Sequence, residues 1–287
     1  MATGPGRMMG CARVADSLAV LLVLAVSVVL VGPILLLALF SFNDSSIIAL
    51  PFEGVTLQWY RDALSDPDAL KALGNSVLLA SIVTPLCVVL GTATAWAITR
   101  FRFRSRAAWS GLVGAPLVVP WLVMGVAGLL LFATLQVELS LKTIGAMHVM
   151  TTFPLVTALV ASRLVRFERS QEEAALDLGA SQAQMMRKVV LPQLAPALAA
   201  SAIFAFAWSF NNFEISFFTG GYDQTFPVWV YSVLRQSDNL PVVNAMSTLV
   251  SVVQVAVVYL LWWGIRHVSR RRGTADDMAV MVAGGVR

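Results

Sequence analysis

Charge is scarce in this chain. Only 13% of its 287 residues are Asp, Glu, Lys or Arg, while 58% are hydrophobic. A soluble domain carries about a quarter of its residues charged, so this chain cannot cover a water-facing surface of its size. A mean hydropathy of +0.77 points the same way. The excess of base, a net charge of +4, does not imply nucleic acid, because the basic residues flank apolar runs and form no basic surface domain. Cysteine is nearly absent. Cys11 lies in the N-terminal region and Cys87 inside an apolar run, which leaves no disulfide framework. The Met8–Met9–Gly10–Cys11 stretch resembles a lipoprotein cleavage box, but it precedes the hydrophobic segment that such a box follows.

Catalytic and nucleotide-binding patterns are missing too. No glycine is followed by lysine, so there is no phosphate-binding G-x-x-x-x-G-K-[ST] loop. Neither an H-E-x-x-H zinc pattern nor a G-x-S-x-G nucleophile elbow occurs. His148 and His267, the two histidines, stand far apart, and His148 reads as a satisfied interfacial residue rather than a ligand. The chain is expected to be no enzyme and to bind no cofactor itself.

What is present is a series of long uncharged runs, at 17–43, 72–99, 107–137, 143–162, 193–219 and 239–265. Each is long enough to cross the roughly 30 Å of a bilayer core as a helix. The first exceeds the core of a cleaved signal peptide and is read as a retained span. The third holds Gly111, Gly114, Pro116, Pro120, Gly125 and Gly128, which predicts a kinked or interfacial portion. Placing both termini in the cytoplasm leaves only Arg61, Lys71, Lys142 and Arg235 of the 20 basic residues outside, the asymmetry that the positive-inside rule requires. The reading is all-α: a cytoplasmic tail at 1–16, a six-helix membrane domain at 17–265 with N-in/C-in topology, and a second cytoplasmic tail at 266–287.

The segment 163–192 holds the most specific pattern. Ser170 with Glu173, and Ser181 with Gln184, have the spacing of capping boxes, so two short helices are expected. Gly179 would stop the first, and Pro192 would end the second and open the next span. By its residues alone this is equally an ordinary solvated loop or a contact surface. Small Ala174, Ala175 and Gly179 permit close approach of another surface, and Met185 and Met186 are adaptable apolar contacts.

Glu173–Ala174–Ala175, then Gly179, then Val189-x-Leu191–Pro192 resembles the EAA motif of permease subunits in binding-protein-dependent ABC importers, with Val189 where that family usually has Ile. Ser41–Phe42–Asn43, Leu57-x-Trp59–Tyr60, Asn75–Ser76 and Phe217–Phe218–Thr219–Gly220 are similar to the second permease of spermidine/putrescine importers. The resemblance covers about residues 40–220. It implies a type I ABC importer permease fold in a bacterial inner membrane. It further implies a coupling helix in which Glu173, Ala174, Ala175, Gly179, Leu191 and Pro192 form or support the contact with a separate ATPase. ATP and Mg would then be bound by that ATPase, and a second permease subunit and an extracytoplasmic solute-binding protein would complete the importer.

For the translocation pathway the candidates are Asn211, Asn212 and Glu214 in the fifth run. An ionisable residue within a span is costly and functional by default, although Glu214 near a helix end also suits an interfacial structural role. Asn211 and Glu214 are expected to share a helix face, with Glu214 about 30 Å along a continuous helix from Gln193. The polyamine family has two acidic residues where Asn211 and Asn212 stand. The alternative to an ABC importer is a stand-alone secondary transporter using Glu214 as an ion-coupling site, which calls for inverted repeats and broken helices. If the loop couples to an ATPase, Gly179→Asp uncouples ATP hydrolysis from transport; normal ATPase binding and normal uptake in that variant would count against it.

Overall fold

The structure, a computed structural model, describes residues 5–45, 52–236 and 240–271, with side chains described except at 5–17, 261–262 and 265–271. The C-terminal tail expected at 266–287 lies, beyond Arg271, outside the described residues. Twelve α-helices account for nearly all of the rest: α1 (Pro5–Phe40), α2 (Gln58–Ser65), α3 (Pro67–Arg100), α4 (Arg106–Gly114), α5 (Trp121–Thr134), α6 (Leu141–Arg166), α7 (Arg169–Asp177), α8 (Gln182–Met185), α9 (Leu191–Phe210), α10 (Glu214–Thr219), α11 (Phe226–Gln236) and α12 (Leu240–Arg271). An isolated bridge between Asn43 and Val55 is the β-type pairing among the described residues.

Among the described residues, five stretches are long and apolar enough to cross a membrane: Leu18–Phe40, Pro67–Arg100, Leu141–Arg166, Gln182–Phe210 and Leu240–Leu260. A sixth apolar unit, Arg106–Leu117 with Trp121–Thr134, is bent by 101°. The six expected runs are thus recovered, the third as a broken pair. Its break falls at 118–120, just after Pro116 and at Pro120, where the missing N–H groups cannot continue a helix. Gly125 and Gly128 do not kink α5. A Cβ on Gly125 would lie 2.9 Å from the Glu214 carbonyl oxygen, and one on Gly128 would lie 2.9 Å from the Met147 methyl. These glycines are therefore the surface on which α10 and α6 pack.

The chain divides into two compact units, Met1–Ser65 with Val233–Gln254, and Asp66–Ser232 with Val255–Arg287. In the first, the residues that follow α1 fold back as a hydrogen-bonded turn. Trp59 Nε1 donates to the Asn43 carbonyl at 2.9 Å, and the Ser41 and Tyr60 hydroxyls pair at 2.6 Å. Phe42 packs on Tyr60 with ring centroids 5.2 Å apart. The Leu18–Phe40 span has no buried residue in its most apolar stretch, as befits a helix whose solvent is lipid or another subunit.

In the second unit α3, α6 and α9 form the core. Val83, Cys87 and Ala95 of α3 pack with Ile144, Val156, Val160 and Leu164 of α6 and with Leu194 and Ala205 of α9. Lipid is as apolar as these side chains, so close backbone approach holds such helices together. Gly91 supplies it: a Cβ there would meet Val156 Cγ1 at 2.7 Å and the Thr157 amide nitrogen at 3.0 Å. Gly91→Val is expected to separate α3 from α6 and cost about 1–3 kcal/mol, seen as a lower Tm in detergent. An unchanged Tm would show that the crossing can open without cost.

Candidate functional site

The 163–192 segment forms a two-helix projection whose inner face is continuous with the core of the second unit. Helix α7 begins at Arg169, two residues earlier than a Ser170 cap requires, with Glu168 in the cap position. The expected Ser170–Glu173 capping box is therefore not formed: Ser170 already lies inside the helix. Glu173 instead pairs with Arg169 at 3.3 Å, an i,i+4 contact with both side chains 63% exposed, weak by its exposure. The second capping box is formed. Ser181 Oγ accepts from the Gln184 amide at 3.3 Å, and Gln184 Oε1 accepts from the Ser181 amide at 2.9 Å. Between the helices Gly179 stands at φ +85°, the left-handed conformation that glycine adopts without penalty and that closes a helix.

Pro192 does not end the second helix. Residues Met186–Val190 form a π turn in which the Leu191 amide reaches the Met186 carbonyl, and the chain runs on into α9. The cause is steric and chemical. A proline ring clashes with the carbonyl four residues back and offers no donor to it, and widening the turn relieves both. Met185 is not available as a contact surface; it is buried in the core at 3% exposure, and Met186 packs against the same cluster. Ala175 and Leu176 face that core as well, while Glu173, Ala174, Asp177, Leu178 and Gly179 are exposed. Leu178 is 89% exposed, an apolar side chain held out at the tip.

The inward carboxylate of α7 is Glu172, which sequence reasoning passed over for its neighbour. Its Oε1 accepts from Arg100 Nε at 2.8 Å and from Nη2 at 2.6 Å, with the Arg100 and Glu172 side chains 12% and 8% exposed. Arg100 Nη2 also reaches the Phe167 carbonyl at 3.4 Å. The guanidinium lies 5.6 Å from the Trp96 ring centroid and 5.8 Å from that of Phe167, within cation–π range. Removing one member of such a pair strands the other charge and costs about 3–5 kcal/mol. A sequence signal existed: Glu172, Ala175 and Leu176 have the i, i+3, i+4 spacing of one helix face.

The pathway candidates are arranged differently from the expectation. The fifth run breaks at 211–213, so Asn211 and Glu214 do not share a helix face, and Glu214 opens a separate helix, α10. Both asparagines serve the break. Asn211 Nδ2 donates to the Ala207 carbonyl at 2.9 Å, and Asn212 Oδ1 accepts from the Ile215 amide at 3.1 Å. Asparagine competes for backbone groups in this way, which is why it favours helix ends. Asn212 is buried, Asn211 exposed and Glu214 half-buried.

His148 ties the two sides of this break to α6. Ser216 gives its hydroxyl hydrogen to the Asn212 carbonyl at 2.7 Å, so His148 Nε2 donates to Ser216 Oγ at 3.2 Å, and Nδ1 accepts from Ser209 Oγ at 2.9 Å. The histidine is satisfied as expected, but it is buried at 1% exposure among helices rather than interfacial. Beyond α10, Thr143 Oγ1 donates to the Thr219 carbonyl at 2.7 Å and Asp223 accepts from the Leu141 amide at 2.8 Å. Asn75 Nδ2 donates to the Gln224 carbonyl at 2.9 Å, and Ser76 Oγ accepts from the Phe226 amide at 2.8 Å. Among the described residues, no three His, Cys, Asp or Glu side chains gather to hold a metal ion.

Residues 87–273 match the family described as binding-protein-dependent transport system inner membrane component, and the chain belongs to that family. It is the transmembrane permease subunit of an ABC importer. Among its relatives is the putrescine transport system permease protein PotI of Escherichia coli (strain K12), 32% identical over 251 residues, covering 85% of this chain and 89% of that protein. The spermidine/putrescine transport system permease protein PotC of the same organism is 32% identical over 227 residues, covering 79% of this chain and 85% of that one. A chain from the crystal structure of a bacterial alginate ABC transporter in complex with its alginate pentasaccharide-bound periplasmic protein has the same fold. Its TM-score is 0.67 at 14% identity, covering 92% of this chain and 96% of that one. Two helices do break as a secondary transporter would require, so broken helices do not discriminate here; family membership does.

Asn212→Ala is expected to leave the buried Ile215 amide without its side-chain acceptor and lower stability by about 1–2 kcal/mol, while Asn211→Ala at its exposed position costs about 0.5 kcal/mol or less. Thermal unfolding in detergent reads both. A fall in uptake with unchanged stability would instead mark a direct role in translocation.

Proposed function

We propose that this chain forms half of the translocation pathway of a bacterial inner-membrane polyamine importer, N-in/C-in, and that it couples to a separate ATPase through its 163–192 loop. A second permease subunit completes the pathway and an extracytoplasmic binding protein delivers the solute. ATP and Mg are bound by the ATPase alone. The carrying observation is the geometry of the projection. Exposed Glu173, Ala174, Leu178 and Gly179 offer a narrow tip with small side chains at its flank, while Ala175, Leu176 and Met185 root it in the core of the spans. Leu191 and Pro192 lie beyond the π turn, at the start of α9, where the projection becomes a span. A rigid element with an accessible tip and a buried root suits the transfer of rigid-body motion.

The cargo assignment rests on the relatives named for putrescine and spermidine. The acidic pair of the polyamine pattern is here Asn211 and Asn212, so Glu214 is the carboxylate left in this stretch to meet a cationic solute. Selection by the binding protein would relieve the permease of most discrimination. Purifying the complex through this chain, identifying its subunits and titrating the captured binding protein with putrescine and spermidine tests the reading. Recovery of an ATPase and a binding protein that takes up either amine is the expected result. A binding protein that ignores both amines removes the polyamine assignment, and a complex without an ATPase removes the coupling.

A further inference from the structure

We infer that the Arg100–Glu172 pair is a clamp that makes α3 move with the 163–192 loop, so that Arg100 is a positioning residue for transport. This rests on the loop being the ATPase contact. The loop already has two covalent routes into the membrane domain: backwards through Phe167 into α6, and forwards through α8 and the π turn into α9. Helix α3 has neither. Arg100, its last residue, stands 72 positions before Glu172 in sequence. Apart from this pair, α3 meets α6 and α9 mainly through apolar side chains such as Val83, Ala95, Val160 and Leu194, with the Gly91 crossing and a weak 3.9 Å bond from Cys87 Sγ to the Val149 carbonyl farther along the helix. Apolar contacts of that kind allow packed helices to slide over one another. A buried ion pair does not, because separating its members leaves each charge away from water without a partner.

The placement fits the task. Arg100 lies at the end of α3, and Glu172 lies in the first turn of α7, so the link joins one helix end to the other with no intervening loop. The guanidinium is held on three sides, by the Glu172 carboxylate, the Trp96 ring and Phe167 with both its carbonyl and its ring. Gln193 Nε2 donates to Gln171 Oε1 at 2.5 Å in an exposed contact between the neighbouring position of α7 and α9, a helix to which the loop is already joined covalently. Adjacent residues of α7 thus touch two different spans, and the buried pair to α3 is the stronger of the two. A push on the exposed tip moves α3, α6 and α9 as one body.

The test uses the complete importer reconstituted in proteoliposomes. Spin labels at Ser170→Cys and Val89→Cys, in a background with Cys11→Ser and Cys87→Ser, report the distance from α7 to α3. The expected distance is the same without nucleotide and with ATP trapped by vanadate. In Glu172→Gln it shifts or broadens on trapping, and uptake of radiolabelled putrescine per ATP hydrolysed falls about tenfold while the ATPase stays bound. Arg100→Lys, which keeps the charge without the fork, restores part of the loss. Arg100→Gln with Glu172→Gln leaves no unpaired charge and gives the same readings if either single variant fails to fold. A structural staple alone would lower Tm and leave both the distance and uptake per ATP as in the parent, which overturns the clamp, as does a distance that already changes in the parent. If Gly179→Asp uncouples while Glu172→Gln is silent, the clamp fails and the coupling reading stands. If Gly179→Asp is silent as well, the coupling reading fails and the clamp with it.

Discussion

Inside a bilayer, a peptide N–H or C=O that leaves its helical partner finds no water to replace it. Two departures from regular helix among the described residues carry their own answers to that constraint. At 118–120 the answer is subtraction, since Pro116 and Pro120 have no N–H to satisfy. At 211–213 it is substitution, with Asn212 Oδ1 accepting from the Ile215 amide in the first turn of α10, while Asn211 Nδ2 adds a second bond to the Ala207 carbonyl that closes α9. His148, Ser209 and Ser216 then bury a hydrogen-bonded bridge across the same break. The interruptions are thus as specified as the helices, and they set where α10 can lie against Gly125 and Gly128 of α5.

Much of this was legible in the sequence. Hydropathy located the spans, and the runs 72–99 and 143–162 lie within helices Pro67–Arg100 and Leu141–Arg166. Prolines located the bend in the third run. The break in the fifth run was not legible, because an average over apolar residues does not register two side-chain amides competing with the backbone. The capping boxes show a second limit. Both had the right spacing, but a cap depends on where the helix starts, and α7 starts at Arg169, before Ser170. Glu172 and Glu173 show a third. Neighbours on a helix point about 100° apart; Glu172 is the inward one, on the face of Ala175 and Leu176, and its partner Arg100 lies in a different span that local spacing does not name.

The residues that carry the family resemblance are mostly joints. Ser41, Asn43, Trp59 and Tyr60 lock the turn after α1, and Asn75 and Ser76 hold the segment between α10 and α11. Such residues define a framework rather than a binding surface. That agrees with the breadth of cargo among proteins of this fold, which includes an alginate transporter as well as permeases named for putrescine.

The π turn at Met186–Val190 has a consequence for the phase of the screw. A π turn accommodates one residue more than an α-helix would over the same rise. The same residues wound as plain α would carry that extra residue as rotation, and would turn everything upstream by about 100° about the axis of α9. Met185 would swing out of the core, and the hairpin turn at Gly179 would point along a different bearing. The wide turn therefore works as a fixed angular offset between the projection and the span it continues into, and the direction in which the tip faces is written into the spacing between Ser181 and Pro192.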